Sequence, residues 1–120
     1  EEIKCSSNQE IKVIKRVFER NYYDCFDKCP EDSEEKSGSF KAKETEYFVY
    51  WCQKSCPDGL ENRISYQLGT ITKYDCYEPC PEGTSLFEYK DDVNTFEEEE
   101  KLREGYDIKI FYQYICKNDD

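Results

Sequence analysis

Apolar residues in the first part of the chain recur every third or fourth position, with charged residues between them. This spacing places the apolar side chains on one face of an α-helix. The segment Ser7-Asn8-Gln9-Glu10 has the form of a capping box, and Pro30 disfavours helix at Cys29. The sequence therefore predicts an amphipathic N-terminal helix. Its apolar positions are Ile11, Ile14, Phe18, Tyr22 and Cys25.

Three later segments show a different pattern, in which apolar residues two positions apart line one face; in the first and third segments apolar residues line the other face as well. They are residues 44–53, residues 64–74 and residues 108–116. Alternation with a period of two predicts β-strands. Gly69 interrupts the middle segment, so it forms either two short strands or one bent strand.

The segments between these elements are polar. Residues 31–43 contain three serines and a glycine and predict a mobile loop. The segment Asn94-Thr95-Phe96-Glu97 can cap a short acidic helix that runs through Arg103 and ends at Gly105.

Together these elements predict one α+β domain spanning residues 1–120. An N-terminal amphipathic helix packs on an antiparallel sheet of three or four strands. Only 37% of the residues are hydrophobic and 38% are charged. Without cross-links that balance favours disorder, so we expect covalent bonds to contribute much of the stability.

The eight cysteines supply those cross-links and predict a secreted protein. The pattern Cys-x-x-x-Cys-Pro occurs three times, at Cys25, Cys52 and Cys76, and forms an imperfect internal repeat. Two cysteines four apart point the same way, so each pair should bridge to two different neighbours. Spacing alone leaves the pairing open, with a bridge from Cys5 or Cys25 on the helical half to the sheet as our expectation. The predicted disulfide cysteines are Cys5, Cys25, Cys29, Cys52, Cys56, Cys76, Cys80 and Cys116.

The composition argues against catalysis and against a bound metal or other cofactor. The chain has no histidine, the usual general base and zinc ligand. The acidic residues Asp91, Asp92 and 97–100 lack apolar neighbours that would raise a carboxyl pKa. A calcium loop starting at Asp92 fails because Glu97 stands where glycine is needed. We therefore expect a non-enzymatic protein.

Charge and aromatic content favour a basic protein partner. With 28 acidic and 17 basic residues, the net charge is -11, which disfavours nucleic acid and anionic membranes. Apolar runs are too short for a membrane span, and we expect a mature, monomeric chain.

Many of the 11 tyrosines adjoin acids, and Tyr89 has the best context for sulfation. The candidate partner-binding residues are Tyr22, Phe87, Glu88, Tyr89, Asp91 and Asp92.

Several motifs resemble the cysteine-rich salivary proteins of blood-feeding ticks. They are the Cys-x-x-x-Cys pairs, residues 52–59 with Gly69-Thr70, and residues 80–84. These families include evasin-like chemokine binders and complement inhibitors. The resemblance implies a non-enzymatic protein that sequesters a host immune or haemostatic factor.

The leading hypothesis is a secreted binding protein that neutralises a chemokine or complement component through an acidic and aromatic surface. One alternative is a protease inhibitor that presents a disulfide-held loop with Arg63 as its specificity residue. The loop residues are Asp58, Gly59, Leu60 and Arg63. A second alternative is a secreted receptor ligand or toxin. Binding through the acidic surface should weaken with salt, whereas a loop in an apolar pocket should hardly respond.

Overall fold

The computed structural model describes residues 4–91 and 95–119, and nearly all of the regular elements in these ranges are β-strands. The chain forms eight strands and, among the described residues, one short helix. The elements are β1 (Gln9–Val17), β2 (Arg20–Asp27), β3 (Ser33–Ala42), β4 (Thr45–Lys54), β5 (Glu61–Leu68), β6 (Ile71–Tyr77), β7 (Thr84–Lys90), α1 (Phe96–Arg103) and β8 (Ile110–Asn118).

The strands form two four-stranded antiparallel sheets. Their strand orders are β2-β1-β4-β3 and β6-β5-β8-β7, so each sheet is a pair of hairpins joined through their inner strands. The predicted α+β class with an N-terminal helix is therefore wrong. The sequence pattern correctly predicted β4, β8 and the short helix α1. The predicted capping segment began at Asn94, which lies outside the described residues, and the N-cap is Thr95. Of the two alternatives for residues 64–74, the structure has two strands, one on either side of Gly69.

The predicted N-terminal helix is the hairpin of β1 and β2. The register shifts between Val13 and Lys15, so Ile14 lies in a β-bulge. A bulge inserts one residue and breaks the two-residue alternation. The apolar residues of β1 consequently follow a spacing that resembles a helical one. The β-branched side chains of this strand favour the extended chain.

Strand β3 occupies the segment that was predicted to be a mobile loop. All ten of its residues pair with β4, from Ser33 opposite Lys54 to Ala42 opposite Thr45. The serines and Gly38 weaken the strand signal in the sequence. Pairing with the strongly alternating β4 overrides that weak local preference.

The chain contains four disulfides, and each one joins two cysteines that lie in or next to the same four-stranded sheet. The bonds are Cys5–Cys25, Cys29–Cys52, Cys56–Cys76 and Cys80–Cys116. Each Cys-x-x-x-Cys pair does bridge to two different neighbours, as predicted. The expected bridge from Cys5 or Cys25 on a helical half to the sheet is wrong, because these two cysteines bond to each other.

The disulfide pairing defines an internal duplication with a period of 51 residues. Cys5, Cys25 and Cys29 correspond to Cys56, Cys76 and Cys80, each 51 positions later. Beyond the β7–β8 connection the offset becomes 64, because Cys52 corresponds to Cys116. We call residues 5–55 module 1 and residues 56–119 module 2. Module 2 therefore carries a 13-residue insertion between its last two strands.

Equivalent side chains make equivalent contacts in the two modules. The Tyr50 hydroxyl donates to the Val13 carbonyl at 2.9 Å, and the Tyr114 hydroxyl donates to the Ile64 carbonyl at 2.7 Å. The bulge of β1 recurs in β5, where the register shifts between Ile64 and Tyr66. The duplication thus extends from the cysteine frame to individual hydrogen bonds.

The modules meet along the outer edge of β3, which we call the seam. The Thr70 amide donates to the Ser39 carbonyl at 2.8 Å, and the Asp107 amide donates to the Lys41 carbonyl at 2.8 Å. The Ser39 amide donates to the Thr70 hydroxyl at 2.8 Å and the Lys41 amide to the Asp107 carboxylate at 2.7 Å. The seam therefore satisfies edge groups that a free strand would leave exposed.

The molecule is a thin layer, with Cα extents of 64 × 43 × 12 Å. Ile71, at the seam, is the one buried apolar side chain among the described residues, with 3% of its surface exposed. Because the thickness is close to that of a single sheet, most of each sheet surface is accessible, apart from the part of module 1 that the β5–β6 hairpin covers. Disulfides and strand pairing, rather than a central core, hold this fold together.

Candidate functional site

A cation covered by aromatic rings lies at the same place in each module. The Lys12 ammonium lies 4.8 Å from the Tyr50 ring centroid and pairs with Glu35. In module 2 the Arg63 guanidinium lies 5.5 Å from the Tyr77 ring and pairs with Glu61. Because the cluster is duplicated and its cations are largely covered, we assign it a structural role.

Burial affects two tyrosines in these clusters. Burial raises the pKa of the Tyr50 hydroxyl above its usual value of 10.0. It is also the largest cause of the raised pKa of Tyr114, followed by the negative charge of Glu88. The Tyr114 hydroxyl donates a hydrogen bond to a backbone carbonyl, which requires the protonated form. These hydroxyls therefore act as structural donors.

An apolar face on β7 and β8 remains exposed in module 2. Phe87 pairs directly with Ile115, and Tyr89 lies two residues from Phe87, so the three side chains share one face of the sheet. Their exposed fractions are 44%, 46% and 41% for Phe87, Ile115 and Tyr89. The Lys117 ammonium lies 4.8 Å from the Phe87 ring centroid. We call Phe87, Tyr89 and Ile115 the aromatic face.

The equivalent face of module 1 is covered by module 2. Trp51 corresponds to Ile115, and the Lys73 ammonium lies 4.6 Å from its ring centroid. Gly38 corresponds to Tyr89, and a Cβ atom added to Gly38 would lie 2.7 Å from the Ile71 Cα atom. In module 1 this face therefore carries the β5–β6 hairpin of the next module.

The 13-residue insertion of module 2 is the largest difference between the modules. Its helix α1 begins at the N-cap Thr95, whose hydroxyl accepts a hydrogen bond from the Glu98 amide at 3.1 Å. No residue of α1 is buried, and Phe96 and Leu102 are 69% and 48% exposed. The described residues 95–107 thus form a largely exposed segment with six acidic residues, two basic residues and two exposed apolar side chains, which we call the acidic insertion.

The structure brings together only part of the predicted partner-binding set. Phe87 and Tyr89 share a face, whereas Glu88 between them points to the opposite face with Tyr114, its pairing partner. Tyr22 lies in the other sheet, on β2, with the Lys15 ammonium 4.9 Å from its ring.

The two predicted aspartates fall at the end of β7. Asp91 follows the strand, and its amide donates to the Phe111 carbonyl at 3.0 Å. Asp92 lies outside the described residues. Sequence reasoning did not identify Ile115 and Phe96 as surface residues. Comparing the two modules through the 51-residue cysteine period would have shown that module 2 differs from module 1 at both positions.

The proposed inhibitory loop is split between a turn and a strand. Asp58 and Gly59 form an exposed turn, and the Leu60 amide donates to the Pro57 carbonyl at 3.2 Å. Arg63 belongs to β5, and its side chain is only 10% exposed. Arg63 is therefore not presented to a protease, and this geometry does not support the alternative.

Cavities and metal clusters offer no other site in the described part of the chain. A groove of about 580 Å³ is open and has polar walls that include Glu31, Lys36 and Asn62. No group of three or more potential metal ligands occurs within residues 4–91 and 95–119. The one helix in these ranges is too short and too polar to cross a membrane.

Comparison with models of known protein families, with curated proteins and with solved structures finds no match to this chain. The resemblance to tick salivary proteins therefore stays a prediction. The four disulfides are consistent with an extracellular protein.

Proposed function

We propose that this chain is an extracellular, non-enzymatic binding protein whose acidic insertion contacts a basic protein. The observation that carries this proposal is the difference between two otherwise equivalent modules. Module 2 has gained an exposed acidic segment where module 1 has the short turn between Ala42 and Thr45. Insertions on a conserved scaffold are common sites of binding because they can vary without disturbing the fold.

The distribution of charge supports a basic partner. Residues 5–55 contain 10 acidic and 9 basic residues, whereas residues 56–120 contain 16 and 7. The negative charge is thus concentrated in module 2. A concentrated field of one sign raises the rate of association with a partner of the opposite sign.

Exposed apolar side chains within the acidic insertion add contact area. Phe96 and Leu102 project from a helix that no other element covers. Aromatic and aliphatic anchors surrounded by charge are typical of protein-binding surfaces. A flat, open surface of this kind suits a protein rather than a small molecule, which binds in an enclosed cavity.

Within that class, we propose a chemokine or a complement component as the target. Many such proteins carry basic surfaces, and the resemblance of the cysteine motifs to tick salivary proteins implies the same targets. Sequestration would then block the target by binding alone, without a catalysed reaction. Sulfation of Tyr89 would add negative charge beside the insertion.

The test is neutralisation of the insertion followed by a binding screen against basic extracellular proteins. The variant Glu97→Gln, Glu100→Gln, Glu104→Gln leaves the capping residue Glu98 and the Glu99–Arg103 ion pair intact. We expect affinity for the target to fall about tenfold or more. Wild-type binding should also weaken as salt rises from about 0.05 to 0.5 M, because the Debye length shortens.

A matched control neutralises three exposed acids of module 1, Glu31, Glu34 and Glu44. This control changes the net charge equally, so it should retain most of the affinity. Equal losses for the two variants would show that only the overall charge matters. That result would contradict a binding site at the insertion.

A further inference from the structure

We propose that the tip of the β1–β2 hairpin belongs to the same binding surface as the acidic insertion, with Phe18 as its apolar anchor. We call residues 17–20 the hairpin tip. This proposal rests on the proposed function and extends it, because the basic partner would then contact module 1 and module 2 together. The hairpin tip and the insertion lie on either side of the β3–β4 turn.

Backbone hydrogen bonds hold these two elements at the same end of the molecule. The Phe18 amide donates to the Glu44 carbonyl at 3.3 Å, and the Lys43 amide donates to the Gly105 carbonyl at 3.1 Å. Gly105 follows the C-cap of α1 directly. Three strand spacings therefore separate the hairpin tip from the end of the insertion, a distance of about 14 Å.

A groove of about 230 Å³ crosses the β3–β4 turn, and its walls include Phe18 together with Lys41 and Lys43. The backbone groups of Lys41 and Lys43 bind Asp107 and Gly105 of the insertion. The surface is thus continuous from Phe18 to the residues that hold the insertion. A standard interface covers about 800 Å² of each partner, a patch about 28 Å across, so one protein can contact both elements.

The backbone of Phe18 has a conformation that a large side chain disfavours. Its φ is 57°, in the left-handed region. The equivalent residue of module 2 is Gly69, with a φ of 60°, and glycine takes this conformation without a steric penalty. The Phe18 side chain is also 74% exposed. Neither the turn nor the packing explains a phenylalanine here, whereas contact with another molecule does.

Lys43 has the same backbone conformation, with a φ of 60°, but its side chain has a partner within the chain. Its ammonium lies 5.9 Å from the Tyr106 ring centroid, and a lysine is well solvated at an exposed turn. The Phe18 ring, in contrast, stacks on no other ring within residues 4–91 and 95–119. Phe18 is therefore the residue of this region that the fold leaves unexplained.

The hairpin tip contributes an apolar contact rather than charge. Glu19 and Arg20 follow Phe18, and Lys43 and Glu44 form the adjoining turn, so acidic and basic neighbours balance. The insertion supplies the negative charge. An aromatic anchor beside a charged segment suits a basic protein, since the anchor provides affinity and the charge speeds association.

The test measures binding of oxidised variants to an array of immobilised basic chemokines and complement components. Phe18→Gly should weaken the tightest wild-type interaction on the array about tenfold, because an aromatic anchor is lost. The loss should be similar at about 0.05 and 0.5 M salt, since an apolar contact is not screened. The melting temperature should stay the same or rise, because glycine accepts the left-handed conformation.

Matched variants separate the Phe18 ring from other effects. Phe18→Tyr keeps an aromatic ring at the hairpin tip and should bind within about twofold of the wild type. Ile11→Ala removes a side chain that is 52% exposed at the other end of β1, roughly 20 Å away, and should bind like the wild type. The triple insertion variant should lose much of the salt dependence of binding, which Phe18→Gly should keep.

The outcomes distinguish this proposal from the proposed function. Wild-type affinity in Phe18→Gly, with a loss in the triple insertion variant, would overturn the role of the hairpin tip alone. A loss in Phe18→Gly with unchanged binding of the triple variant would contradict the insertion as a binding site and with it the shared surface. Equal losses in Phe18→Gly and Ile11→Ala would overturn a specific anchor. A wild-type chain that binds nothing on the array up to about 100 µM would overturn both proposals.

Discussion

At the scale of single residues, the two modules repeat their stabilising contacts with different side chains. Lys12 in module 1 corresponds to Arg63 in module 2, and both lie over tyrosine rings. At the equivalent positions Tyr50 and Tyr114, both the residue type and the hydrogen bond to a backbone carbonyl are the same in the two modules. We infer that the tyrosine hydroxyl fixes the inner strands across the bulge, while the nature of the cation can vary.

The Tyr114 hydroxyl should make stability depend on alkaline pH. Burial raises its pKa in the folded chain above the usual 10.0, so its contribution is complete below pH 10 and is lost as pH rises through the folded-state pKa. Tyr114→Phe should lose about 0.5–1.5 kcal/mol at pH 8, because a hydrogen bond disappears. Above pH 10 its stability should fall less steeply than that of the wild type.

Urea unfolding between pH 8 and 11 measures this difference. Tyr74→Phe, at an exposed tyrosine of the same sheet, serves as the control and should follow the wild-type profile. Parallel pH profiles for the wild type and Tyr114→Phe would contradict the assignment of Tyr114 as a buried donor.

At the scale of elements, local pattern was informative where a strand alternates regularly. β4 and β8 are rich in β-branched and aromatic residues and keep an apolar face with a period of two, and α1 has a clear N-cap and a C-terminal glycine, so the sequence predicted all three. β1 contains a bulge, which displaces the alternation by one residue and imitates a helical period. β3 is rich in serine and charge, and its identity depends on pairing with β4, which a local pattern does not contain.

The seam between β3 and β6 depends on the absence of a side chain at Gly38. An added Cβ would lie 2.7 Å from the Ile71 Cα and side chain, far inside normal contact distance. Gly38→Ala should therefore destabilise the protein by about 1–3 kcal/mol, because backbone cannot easily yield. Chemical denaturation is the direct measurement.

Ser37→Ala provides the matched control, since Ser37 is the preceding residue of β3 and is exposed. It should change stability by no more than about 0.5 kcal/mol. If the two alanine variants proved equally stable, the close approach of the modules at Gly38 would be incorrect.

At the scale of the whole molecule, the sequence contained a repeat that the three Cys-x-x-x-Cys-Pro copies obscured. Two copies, at Cys25 and Cys76, are equivalent, whereas the copy at Cys52 spans the junction between the modules. Only the 51-residue period distinguishes the two equivalent copies from the copy at the junction. The candidate partner residues Phe87 and Tyr89 could be found from sequence, but the significance of the aromatic face depends on knowing what covers its counterpart.

In this structure each module is closed by its own two disulfides, and this pairing can be tested directly. Tryptic digestion of the denatured, non-reduced chain tests it, because trypsin can cleave after Lys54 between Cys52 and Cys56. The pairing predicts three cross-linked products by mass spectrometry: residues 5–12 with 21–28, residues 29–36 with 44–54, and residues 55–63 with 74–90 and 110–117. A product that joins any peptide before Lys54 to one after it would contradict the two-module structure.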